Sequence, residues 1–103
     1  MACRYLWKDA TVNVGDEVTL DAKSMMKQGF ALYLEVDNAM EIWVYVSIDG
    51  ENFYDSGISL TASAAGYGLF SDFTTELGKF PYYKFYVASA PDTGLGITMF
   101  VSG

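Results

Sequence analysis

Apolar residues recur at every second position along most of this chain, and that period restricts it to strands. Phe30, Leu32, Leu34 and Val36 alternate with Ala31, Tyr33 and Glu35. Ile42, Val44, Val46 and Ile48 alternate with Trp43, Tyr45 and Ser47. Tyr83, Phe85 and Val87 alternate with Tyr82, Lys84 and Tyr86, and Ile97, Met99 and Val101 alternate with Thr98 and Phe100. Weaker strands are predicted over 10–14, 18–20, 53–60 and 67–73. Turn residues separate them: Gly15-Asp16, Asp37-Asn38, Asp49-Gly50, Gly78 to Pro81, and the run Ala90-Pro91-Asp92-Thr93-Gly94, which reads as a type I turn with Pro second. Pro81 suits the first residue of a strand, because it donates no ladder hydrogen bond. The best helix candidate is short, over 21–27, and the Ser/Ala/Gly-rich 59–68 is the least defined stretch. The pattern predicts an all-β, antiparallel β-sandwich, jelly-roll-like, of about eight strands.

A chain of 103 residues suits one domain, 1–103, with 1–8 as a candidate docking arm. Two Trp, eight Tyr and seven Phe supply ample core material. Six Lys and Arg stand against thirteen Asp and Glu, a net charge of -7. No Lys or Arg lies between Gln28 and Gly78, where Glu35, Asp37, Glu41, Asp49, Glu51, Asp55, Asp72 and Glu76 fall. Such a surface repels nucleic acid and anionic membranes, so neither is expected as a partner. The charge keeps a β-rich chain soluble, or it forms an acidic face that selects a basic partner.

The residues give no sign of catalysis. There is no His, which removes Ser-His-Asp and Cys-His nucleophile systems and the commonest metal ligand. Cys3 is the only cysteine, so no internal disulfide forms and zinc has no ligand set. Gly66-Tyr67-Gly68 and Gly94-Leu95-Gly96 are not phosphate loops, because neither opens a helix after a strand. Asp49-Gly50-Glu51-Asn52 lacks calcium-loop spacing and reads as a hairpin tip. The other acidic loop, 37–41, lies about 23 Å away along the intervening strand, too far to share an ion. The expectation is a non-enzyme with no catalytic residue, cofactor or metal. The chain's start carries no apolar run like a signal peptide, and its longest apolar run, 42–46, is too short for a membrane span. Both fit a protein made and used in the cytoplasm, or released by lysis.

With the aliphatic positions turned inward, the outward positions carry Tyr33, Trp43, Tyr45, Tyr82, Tyr86 and Phe100. An antiparallel sheet ordinarily puts polar residues there. Three readings compete. The N-terminal segment, with Tyr5 and Trp7, or a neighbouring loop covers part of the face; other protein subunits dock on it; or it stacks sugar rings.

The run Trp43-Val44-Tyr45-Val46-Ser47-Ile48-Asp49-Gly50-Glu51-Asn52-Phe53 resembles the strand and S-x-D-G-x-N-F/W hairpin of discoidin-like and related jelly-roll modules. Phe80-Pro81-Tyr82-Tyr83-Lys84-Phe85-Tyr86-Val87 resembles their strand that follows a turn, and Gly96-Ile97-Thr98-Met99-Phe100-Val101 their closing strand. Small single-domain chains of this pattern also look like virion structural proteins of tailed phages. The resemblance implies a head decoration (cement) protein or minor head or tail component. Its partner would be a capsid or other virion protein, or a further copy in a homo-oligomer. It would be assembled in the host cytoplasm and found in the virion. Trp7, Tyr33, Trp43, Tyr45, Tyr82, Tyr86 and Phe100 are then the candidate partner interface. The alternative is a carbohydrate-binding β-sandwich module using the same aromatics.

Overall fold

A computed structural model describes residues 3–23, 31–70 and 80–102. Eight strands follow in chain order: β1 (Cys3–Val12), β2 (Glu17–Asp21), β3 (Ala31–Val36), β4 (Met40–Ser47), β5 (Tyr54–Ala62), β6 (Gly66–Phe70), β7 (Tyr82–Ser89) and β8 (Leu95–Ser102). They form two four-stranded antiparallel sheets. One, sheet A, has the order β1-β8-β3-β6, and the other, sheet B, has β2-β7-β4-β5.

The pairings are nested. β4 pairs with β5, β3 with β6, β2 with β7 and β1 with β8. The chain is thus one long antiparallel ribbon rolled on itself, with β8 also joined to β3 and β7 to β4. The strand pattern predicts the all-β antiparallel sandwich of about eight strands that these two sheets form, while the nested order is set by the pairings themselves.

Alternation produces the core directly. Every second residue of β8 is buried, from Leu95 through Ile97 and Met99 to Val101, and β7 buries Tyr83, Phe85 and Val87 in the same way. β3 adds Leu32, Leu34 and Val36, and β4 adds Met40, Ile42, Val44 and Val46. Each such side chain contributes about 1.5–3 kcal/mol by leaving water.

Several expectations need correction. Ile48 belongs to the alternating set but is 75% exposed, because β4 ends at Ser47 and the chain turns away from the core. Residues 3–8, read as a docking arm, form the first part of β1 and pair with β8. Pro91 is the first residue of its turn, not the second, since its carbonyl accepts the Gly94 N–H at 2.9 Å. Asp21, placed in the candidate helix, ends β2; Phe30 and most of that helix segment lie outside the described residues.

Candidate interface faces

The seven candidate residues do not share a surface. Tyr33 and Phe100 stand on the outer face of sheet A, while Trp43, Tyr45, Tyr82 and Tyr86 stand on the outer face of sheet B. Strand alternation separates inside from outside, and the two sheets then face opposite ways.

Trp7 lies on neither face. The β1–β8 register slips between Tyr5 and Trp7, so Tyr5 sits opposite Phe100 while Trp7 sits opposite the buried Met99. Such a bulge turns the next side chain to the other face. Trp7 therefore packs, half-buried, against the core.

On sheet B the rings pack mainly on one another. Trp43 lies 6.0 Å from Tyr86 at 32°, and Tyr45 meets Tyr86 edge-on at 6.4 Å and 87°. Such arrangements follow the ring quadrupole. The Trp43 indole N–H donates to Glu41. Lys84 stands 4.6 Å from the Phe53 ring centre and 3.9 Å from the Glu17 carboxylate. Trp43 remains 40% exposed. Beside it β5 bulges: Ser56 donates to the Val44 carbonyl at 2.6 Å and Asp55 accepts the Gly57 N–H at 2.8 Å. The bulge leaves a shallow pit of about 140 Å³ next to the indole.

Sheet A carries an aromatic row that crosses all four strands. Tyr5 on β1 lies 5.3 Å from Phe100 on β8, Phe100 lies 5.0 Å from Tyr33 on β3, and Tyr33 lies 6.2 Å from Tyr67 on β6. Tyr5 is 49% exposed and Tyr67 75%. The Tyr33 hydroxyl donates to Glu35 at 3.2 Å, and burial, then this carboxylate, raise its pKa. Sequence reasoning missed two members of this row. Tyr5, which one of the three readings gave as part of a cover for the aromatic face, instead extends one, through a pairing with Phe100 that the sequence does not mark. Tyr67 lies in the Gly-rich stretch whose register the sequence leaves open.

Next to the row is a hollow of about 480 Å³. Its floor is Gly96, an outward position on β8 with no side chain to fill it. A Cβ there would come 2.5 Å from an Asp37 carboxylate oxygen. Asp37 instead rests on the bare backbone, accepting the Gly96 N–H at 2.9 Å. Asp9, Glu35 and Asp37 line the hollow, with Thr98 and Tyr67. Thr98 fixes Asp9 by accepting its backbone N–H at 3.0 Å and donating to its carboxylate at 3.2 Å.

The Asp49 hairpin tip is a closed turn. Ser47, 1% exposed, accepts the N–H groups of Asp49 at 3.2 Å and Gly50 at 2.9 Å, and donates to Asp49 at 2.9 Å. Asp49 accepts the N–H groups of Glu51 and Asn52 and the Asn52 side-chain amide at 2.8–2.9 Å. Gly50 has φ 81, and its bare Cα lies against the Tyr82 ring. The backbone donors of Asn52 and Glu51, then the side chains of Asn52 and Ser47, hold the Asp49 carboxyl well below its ordinary 3.8. A carboxyl lowered in the fold stabilises it above its unfolded pKa and loses that effect as pH falls through the folded value. Acid melting should therefore show a contribution from Asp49 that is complete above about pH 5 and fades below about pH 4. Asp49→Asn should remove that pH-dependent part and Glu51→Gln should not; melting curves from pH 2 to 7 check this.

No protein-family model matches the chain, and no curated protein matches it in sequence. Among solved structures, it is similar to the crystal structure of PBSX exported protein XepA, with a TM-score of 0.56 and 9% identity. The similarity covers 99% of this chain and 37% of XepA, so the chain spans little more than a third of that protein. At this identity the two share a fold.

Proposed function

We propose that this protein is a non-enzymatic structural component of a phage particle, a decoration (cement) protein that docks on assembled capsid protein. The observation that carries the reading is the aromatic clusters on both outer faces, where antiparallel sheets ordinarily meet water with polar side chains. Tyr and Trp are the residues most enriched at the centres of protein interfaces. A rigid two-sheet sandwich with such a surface on each side is suited to lie between neighbouring subunits. Many copies on one lattice would add avidity to modest single contacts. The shared fold with XepA, a protein of phage PBSX, supports the phage setting. In this reading assembly takes place in the host cytoplasm, the protein resides in the virion, and its net charge of -7 disfavours nucleic acid and anionic membranes as partners.

On sheet B the ring geometry favours protein docking over the carbohydrate alternative. Trp43, Tyr45 and Tyr86 meet at 32° and 87°, which is a packed cluster and not a flat platform for a sugar ring. The purified protein should co-sediment with assembled capsids. Trp43→Ala should weaken that binding by about 2 kcal/mol, roughly thirty-fold, with little change in melting temperature. A protein that never co-sediments with particles, and whose glycan binding disappears in Trp43→Ala, would replace this reading with the sugar-binding one.

A further inference from the structure

We infer that the outer face of sheet A is the docking surface for a basic protein segment, whose Arg or Lys side chain enters the hollow over Gly96. This rests on the reading of the protein as one that docks on other proteins through both faces, and it names the partner's chemistry at the sheet A face.

The surface has two adjoining parts. The row Tyr5, Phe100, Tyr33 and Tyr67 offers apolar area across the full width of the sheet, with its two end rings the most exposed. The hollow beside it, about 480 Å³, offers depth, and the missing side chain at Gly96 lets the Asp37 carboxylate rest on the strand in its lining.

Charge complementarity selects the occupant. Asp9, Glu35 and Asp37 line the hollow, and among the described residues no Lys or Arg lines it. Two of the three are fixed in place, Asp37 by the Gly96 N–H and Asp9 by Thr98. Lys8 stands over Tyr5, at the far end of the row from Tyr67, and the ion pairs among the described residues, Lys23–Asp21 and Lys84–Glu17, involve none of the three carboxylates. A guanidinium or ammonium group entering here would meet carboxylates on one side and the exposed Tyr67 ring on the other, pairing charge with a cation–π contact. A second copy of this chain, with its own net charge of -7, complements the hollow poorly. A neutral sugar could donate hydroxyls to these carboxylates but brings no charge to pair with them.

The test is an amide NMR titration of the whole chain with the blocked peptide Ac-Ala-Arg-Ala-Arg-Ala-NH2. The control is the same peptide with citrulline, which keeps the shape of arginine and removes its charge. The expected result is saturable shifts at Gly96, Thr98, Asp37 and Tyr67, with citrulline at least about ten-fold weaker. Glu35→Gln should weaken arginine binding several-fold and leave the melting temperature unchanged, since Gln also accepts the Tyr33 hydroxyl. Tyr67→Ser should do the same through loss of the ring. Equal shifts with citrulline would overturn the inference. So would a response centred on the Asp49 hairpin, the same saturable shifts from a neutral oligosaccharide, or concentration-dependent self-association through this face. The outcome is separate from the particle assay. Arginine binding without co-sedimentation would sink the virion role alone, and co-sedimentation without arginine binding would sink only this inference.

Discussion

Phe85→Ala should lower stability by about 3–5 kcal/mol, which for a domain of this size lowers the melting temperature by about 15–25 °C. Phe85 is fully buried on β7, where its register partners are Val18 on β2 and Val44 on β4. Truncation removes ring contacts with both neighbours and leaves a cavity that the rigid strands on either side cannot collapse. The whole stability of a domain is about 5–15 kcal/mol, so this one change removes a large share. Tyr54→Ala is the control: Tyr54 is 65% exposed, and its loss should stay within about 0.5 kcal/mol. Urea unfolding of both variants measures the difference. A loss below about 1 kcal/mol for Phe85→Ala would mean that the two sheets do not close on each other as described.

Ser47→Ala should cost about 1–3 kcal/mol, a large effect for the loss of one oxygen. The Ser47 hydroxyl accepts two turn N–H groups and donates to Asp49, so alanine leaves three polar groups short of a partner at once. Ser47 is also the only polar or charged side chain that is buried among the described residues. The turn it holds joins β4 to β5, consecutive strands of one sheet. Ser63→Ala, at an exposed position between β5 and β6, should be nearly neutral in the same unfolding assay. If both serine variants melt alike, the Ser47 hydroxyl does not hold the turn.

The strands were legible because strand alternation is a local property. Ile97, Met99 and Val101 announce their face within five residues. The tip from Asp49 to Asn52 was legible for the same reason, since its hydrogen bonds fall within three residues along the chain. Alternation, however, places Ser47 outward and hides the buried hydroxyl that holds the tip. What the sequence did not carry was long-range. Alternation places Phe100 and Trp43 outward, but only the pairing of distant strands puts them on opposite sides of the molecule. Trp7 was misread because a bulge between it and Tyr5 breaks the period, and no residue there marks a bulge. The hollow over Gly96 was hidden in the same way. A glycine beside a turn reads as turn chemistry until Asp37, 59 positions away in the chain, is found against it.

The nested pairing has a consequence for how the chain reaches this fold. Joining β4 to β5 closes only a short loop, whereas β3–β6, β2–β7 and β1–β8 each enclose the pair before them. Loop-closure entropy rises only slowly with length, by about 0.6 kcal/mol per doubling, so a chain zipped from the inside outward meets each new cost already shortened by the last. The order of least resistance starts at the Asp49 hairpin and ends with β1 laid along β8. Contacts so distant in sequence also place the chain among slow folders. The Ser47–Asn52 turn, which makes no wall of the acidic hollow, then acts in time: it is the pivot about which the ribbon first doubles back.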